Sequence, residues 1–261
     1  MVRDSLKEKL DSGGSAVGVI AFDPYSIEVA AYMGFDWVFI DLMFTSLDLG
    51  ATETLLRCCE AAGVTPVVRV QSNPWLGYDH RIAVDVTRLI SIGAQYIVVS
   101  NSCKKEIEEC REAARNWHKK YWVHTDSSDW AAKASDWGVQ IIPQPECKQG
   151  LGELHETLAI PGINMTFIGT TDPSMALGKT SVPNFYSEAL WTFIDSAVAA
   201  TRQNNTIFIA NTSWFKTMDD MVERVQHMHK HGVRMPLLQT AYYLMQIGAG
   251  KYLKDIKAAL R

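Results

Sequence analysis

The chain has no run of about 18 apolar residues, the length a membrane-spanning helix needs. It does not open on positive charge followed by an apolar stretch, so no signal peptide is expected. Neither sign of charge is in large excess. The 25 Lys and Arg against 29 Asp and Glu give a formal charge of −4 and a pI near 6.0. That balance offers no electrostatic reason for a nucleic-acid or anionic-membrane partner. Cysteine is scarce: Cys58, Cys59, Cys103, Cys110 and Cys147 are odd in number and include no Cys-x-x-Cys pair. Neither a disulfide frame nor a zinc knuckle is indicated, and a reducing cytoplasm is expected. No low-complexity segment or charge block marks a linker, so residues 1–261 read as one domain. No Gly-x-Gly-x-x-Gly follows the first strand candidate, because Gly13-Gly14 precedes it. An open dinucleotide-binding sheet is therefore disfavoured.

What the chain does contain is alternation. Short apolar runs at 16–21, 36–41, 65–70, 95–99, 139–143, 164–168, 206–210 and 235–239 read as strands, with a weaker one at 121–124. Helical patterns lie between them, at 25–33, 48–62, 103–118, 148–158, 184–203 and 217–231. Alternating strands and helices predict a parallel sheet, and about eight repeats predict a (β/α)8 TIM barrel. The surplus strand is 121–124. Residues 242–261 mix aromatic and aliphatic side chains with Lys251, Lys254 and Lys257. They read as an amphipathic closing helix, packed on its own barrel or on a neighbouring subunit. Eight tryptophans suggest a subunit interface or a substrate pocket.

Chemistry-bearing residues gather at the ends of these runs. Gln144-Pro145-Glu146 follows the fifth strand, and Gly169-Thr170-Thr171-Asp172 follows the sixth, placing Asp172 in a loop. Carboxylates on one rim of a barrel can hold a hard divalent cation and leave positions open for water and an oxygen-rich substrate. Singly, each also reads as a solvated loop acid; their shared rim favours the metal. Asp41 ends the second strand and Arg69 the third. Arg69 lies in an apolar run and needs an anionic partner, either Asp41 as a structural ion pair or a substrate carboxylate or enolate oxygen. Gly169, Thr170 and Thr171 offer backbone amides and small side chains for an anionic group. Cys147 reads as a small buried thiol.

These residues resemble a known family. Pro24-x-x-x-Glu28, the run from Gly34 to Asp41 and the run from Gly63 to Val70 are similar to the N-terminal signature of the HpcH/HpaI metal-dependent 2-keto-acid aldolases. Gly93-Ala94, Gln144-x-Glu146, Pro161-Gly162 and Phe167-Ile168-Gly169-x-x-Asp172-x-Ser174-x-x-Leu177-Gly178 continue the resemblance in order, up to about residue 180. It implies a barrel assembled as a hexamer of swapped-helix dimers, a Mg2+, Mn2+ or Co2+ cofactor and a pyruvate enolate. It also implies that Glu146 and Asp172 hold the metal, Arg69 steadies the enolate, and Gln144 borders the site. The loop Gly169 to Thr171 would receive the keto-acid carboxylate, and Asp41 would orient the acid/base residue.

That acid/base residue is absent. Where the family pattern runs to Glu-His, this chain has Met43-Phe44, and phenylalanine cannot move a proton. The family's Gly-x-Arg-Gly segment is also missing, replaced by a tryptophan-rich stretch at 115–130. The segment 72–81 departs from the pattern as well; its Tyr78, Asp79 and His80 could handle protons, or Asp79 could simply cap a helix. His124 is a second stand-in, while His118, His155, His227, His229 and His231 read as helix-surface residues. Three readings follow. One is a metal-dependent carbon–carbon lyase or synthase working through a pyruvate-type enolate, with Phe44 lining an apolar wall. Another is an aldolase whose base has moved to His80 or His124. The third is a barrel that binds ligand or partner without catalysis.

Overall fold

The computed structural model describes residues 5–70, 82–121 and 138–259. Eight parallel strands form one sheet in the order β5-β4-β3-β2-β1-β8-β7-β6. They are β1 (Gly18–Ile20), β2 (Trp37–Asp41), β3 (Thr65–Arg69), β4 (Tyr96–Ser100), β5 (Gln140–Gln144), β6 (Met165–Ile168), β7 (Ile207–Asn211) and β8 (Val233–Thr240). The sheet curls into a nearly closed (β/α)8 barrel ringed by helices. At the β5–β6 seam Pro143 has no N–H to give, and its carbonyl accepts the Thr166 hydroxyl at 3.0 Å.

Two apolar layers follow from the period-2 alternation of strand side chains. One layer, including Val38, Ile40, Val68, Ile97 and Val99, faces the surrounding helices. The other fills the barrel with Trp37, Phe39, Val67, Tyr96, Val98, Ile142, Met165, Phe167, Ile207, Ile209, Met235 and Leu237. An N-terminal helix that the sequence patterns did not reveal, Ser5–Asp11, adds Leu6 and Leu10 to this inner layer and plugs the lower end. Arg234 fastens it there by donating to the carbonyls of Leu10 and Gly14. Gly18 is required where the first strand meets this layer, because a Cβ would stand 2.2 Å from Trp37 Cε2.

Several boundaries differ from expectation. The helix expected over 148–158 is two short ones, Lys148–Gly152 and Leu154–Leu158, divided at Glu153. The one expected over 184–203 starts at Glu188, preceded by a segment that Asn184 pins to the Ser174 hydroxyl. Tyr121, the first residue of the weak strand candidate, ends helix Lys104–Tyr121; residues 122–124 lie outside the described residues. The closing helix is present as Ala241–Ala259, with Met245, Tyr252, Leu253 and Ile256 exposed. Among the described residues, no helix is long and apolar enough to cross a membrane.

Candidate active site

The inner layer predicts its own upper rim. Two residues beyond the last apolar member of each strand from β2 to β8 come Asp41, Arg69, Ser100, Gln144, Gly169, Asn211 and Gln239. The same alternation that fills the barrel with hydrophobic side chains therefore ends it in a layer of polar residues and one glycine. This is the rim where barrels of this class keep their chemistry.

Asp41 and Arg69 are register partners on β2 and β3, so both point inward at one level. Arg69 Nε donates to Asp41 Oδ1 at 2.9 Å, and Arg69 Nη2 donates to Oδ2 at 2.5 Å. The structural ion pair is thus formed, and both partners are buried. Asp41 Oδ1 also accepts the Met43 N–H at 2.9 Å, which shapes the turn after β2. That turn carries Phe44 across the guanidinium, with Arg69 Cζ 4.9 Å from the ring centroid. The Phe39 ring lies on the guanidinium at 5.4 Å. Phe44 is 73% exposed, an apolar wall facing the mouth of the barrel.

On the other side of the rim a hydrogen-bond chain runs to Glu146. Ser100 Oγ donates to Gln144 Oε1 at 2.8 Å, and Gln144 Nε2 donates to Glu146 Oε1 at 3.0 Å. Ser100 and Gln144 are register partners, which is why they meet. Burial pushes the Glu146 carboxyl up to about 7; Arg69 and the Asn101 N–H oppose the rise, while Asp172 and Asp41 add to it. Asn101 adopts a left-handed backbone (φ 49°) in aiming that N–H. Gly169 packs here: its absent Cβ would sit 3.4 Å from Glu146 Oε1 and 3.9 Å from Gln144 Nε2.

Asp172 does not lie in a loop; it opens the helix Asp172–Gly178 and is exposed. Thr170 is buried, and its N–H is given to Asn211 Oδ1 at 2.9 Å, while its hydroxyl donates to the Asn211 carbonyl at 3.0 Å. That amide is therefore unavailable to a ligand. Thr171 Oγ1 lies 3.2 Å from Ser213 Oγ, and Ser213 is held in turn by Gln239 Nε2 at 3.0 Å. Ser100, Asn211 and Gln239 escaped the sequence reading, although extending each strand's alternation by one step finds them.

The rim offers carboxylate oxygens, the donor type that a hard cation prefers. The carboxylates of Asp41, Glu146 and Asp172 are electrostatically coupled at Glu146, and the nearby cation, Arg69, is already engaged by Asp41. Among the described residues, no group of three or more His, Cys, Asp or Glu is placed to hold a metal ion, so protein ligands beyond the pair Glu146 and Asp172 are not supplied. An ion held by Glu146 and Asp172 would keep positions for water and substrate oxygens, as small divalent cations prefer. His80 and His124 lie outside the described residues. Cys147 is half-buried, not buried, and its sulfur accepts the Gly150 N–H at 3.3 Å. His227 is not a surface residue; it sits half-buried among Trp191, Tyr186 and Phe185.

Residues 17–241 match the family model described as HpcH/HpaI aldolase/citrate lyase. The chain belongs to that family. Membership places it among aldolase-like carbon–carbon lyases. A hydroxypyruvate/pyruvate aldolase from Roseovarius nubinhibens is 27% identical over 191 residues, covering 67% of this chain and 70% of that protein. Two solved structures share the fold. A family member from Burkholderia cenocepacia has a TM-score of 0.77 and 20% identity, covering 98% of this chain and 100% of its own. A citrate synthase has a TM-score of 0.71 and 22% identity, covering 99% and 96%.

Proposed function

We propose that this family member is a divalent-metal-dependent lyase or synthase that acts on a 2-keto acid through a pyruvate-type enolate, without a histidine proton shuttle. The observation that carries the reading is the rim itself: Arg69 fixed by Asp41, Glu146 fixed by Gln144, and Phe44 lying on the guanidinium where an acid/base residue is expected. Glu146 and Asp172 would hold the cation, Mg2+, Mn2+ or Co2+. When bound, it supplies a Lewis acid for the 2-keto group.

The protein's own side chains do the rest. Asp41 occupies Nε and Nη2 of Arg69, and Nη1 would meet the oxygen where charge develops. Burial of the pair removes competing water and strengthens that interaction. Phe44 contributes an apolar wall and no proton. A reaction that makes the enolate by releasing CO2 needs no base for that step: the bonding pair between C3 and the leaving carboxyl carbon becomes the C2–C3 double bond, the carbonyl π pair moves to the keto oxygen, and CO2 departs. A 4-carboxylated keto acid such as oxaloacetate fits this requirement. Thr171 and Gly169 border the same space, with the Thr170 amide already committed to Asn211.

The test compares two substrates in the presence of Mg2+ or Mn2+. Oxaloacetate turnover above that of Glu146→Gln is expected, with cleavage of simple 4-hydroxy-2-keto acids at least about tenfold slower, a barrier difference of about 1.4 kcal/mol or more. The opposite order of the two substrates would overturn the proposal.

A further inference from the structure

Beside the site, two loops bring together a pair of thiols that the chemistry above does not use. Ser100 and Gln144 are Cα partners on adjacent parallel strands. Cys103 and Cys147 each lie three residues beyond that register pair.

The two loops are also interlocked. The Ser102 N–H donates to the Gln144 carbonyl at 3.3 Å, and the Gln144 N–H donates to Ser102 Oγ at 3.2 Å. The Lys104 N–H reaches Glu153 Oε2 at 3.0 Å. Gly150 is pressed so closely against the Ser102 carbonyl that a Cβ would stand 2.3 Å from it. Within this frame Cys103 and Cys147 lie close enough to interact, the Cys147 sulfur accepts the Gly150 N–H at 3.3 Å, and both residues are half-buried and reachable from solvent.

We propose that Cys103 and Cys147 are a modification site: a reversible disulfide that clasps the β4 and β5 loops on either side of Glu146. The oxidant is a small-molecule disulfide. The Cys147 thiolate attacks one of its sulfurs and expels a thiolate, which takes up a proton. The Cys103 thiolate then attacks the Cys147 sulfur and expels the second small thiol. Two protein thiols and one disulfide become one protein disulfide and two small thiols, with two electrons passing to the reagent.

The surroundings order these steps. Burial pushes the Cys103 thiol up to about 12, with Glu106, Cys147 and Glu153 adding to the rise. Cys103 is thus a poor first nucleophile. Cys59 and Cys110 are buried, with thiols also pushed up to about 12, and they stay reduced. A soft-metal site is not the better reading, since Glu106 and Glu153 do not complete a metal-binding group with the thiols. The clasp would join the two supports of Glu146: Asn101, whose N–H it accepts, lies two residues before Cys103, and Cys147 follows it directly.

The full-length protein would be incubated with excess oxidised glutathione, alkylated, digested and mapped by mass spectrometry. The expected product is a Cys103–Cys147 linked peptide pair that dithiothreitol reverses, with Cys58, Cys59 and Cys110 alkylated. In Cys103→Ser the reaction should stop at a glutathione adduct on Cys147. Alkylation of both thiols in the native protein, a stable glutathione adduct on its Cys147, or a link to any other cysteine would overturn the proposal.

Discussion

Arg69 is the residue on which the proposed site turns, and its burial makes it costly to leave without a partner. Its charge is matched by Asp41 across one strand spacing, with two hydrogen bonds and aromatic rings on the guanidinium. Removing one partner of such a buried pair costs about 3–5 kcal/mol, because the survivor stays uncompensated. Asp41→Ala should therefore lower stability by that order in denaturant unfolding, whether or not a substrate is present; a change under about 1 kcal/mol would mean that the pair is not buried as described. Phe44 tests the chemistry instead. Phe44→His puts a titratable ring over Arg69, and metal-dependent exchange of pyruvate methyl protons should rise at least about tenfold over the parent, the lower scale of general acid–base contributions being about a hundredfold. An unchanged exchange rate would mean that position 44 is not where a proton is handled. The sequence named Asp41, Arg69, Gln144, Glu146 and Asp172 because each stands at the end of an apolar run. It did not reveal that Asn211 would consume the Thr170 amide, since that depends on β7 reaching the same level as the loop after β6.

At the scale of elements, helix Met218–Lys230 with the following His231, helix Glu188–Ala200 and the segment before it form a second cluster. His227 and His231 stand 4.5 Å apart by ring centroids, Trp191 contacts both, and His231 Nδ1 meets Asp195 Oδ1 at 2.7 Å. Arg224 lies over Phe185 and Tyr186 and donates to the Thr212 carbonyl. Burial lowers the His227 pKa from its usual 6.5, with His231 and Lys230 adding and Asp195 opposing. As pH falls, the unfolded chain takes up this proton before the folded one. The stability that neutral His227 contributes is full above about 6.5 and is lost as pH drops through the depressed value. The melting temperature should therefore fall more between pH 7.5 and 5.5 in the parent than in His227→Phe. Equal falls would contradict the cause assigned. The helical pattern showed where this element lies but not which face was covered. The covering segment, Phe185 to Ser187, precedes the helix that the apolar pattern had assigned to it.

Across the whole molecule, the barrel was legible because its period-2 strands and intervening helices repeat through the chain. The plug at its lower end was not, because Leu6 and Leu10 belong to a helix of seven residues too short to announce a pattern. The rim was half legible: the carboxylates and Arg69 stand out by charge, whereas Ser100, Asn211 and Gln239 are ordinary residues until the barrel places them. On the proposed reading, this assembly handles an enolate without a proton shuttle. Proton NMR in D2O with Mg2+, following oxaloacetate and, in a matched sample, pyruvate, tests it most directly. Oxaloacetate should be consumed faster than with Glu146→Gln, while the pyruvate methyl protons are retained. Metal-dependent loss of those protons, with oxaloacetate no faster than in the Glu146→Gln control, would overturn that reading.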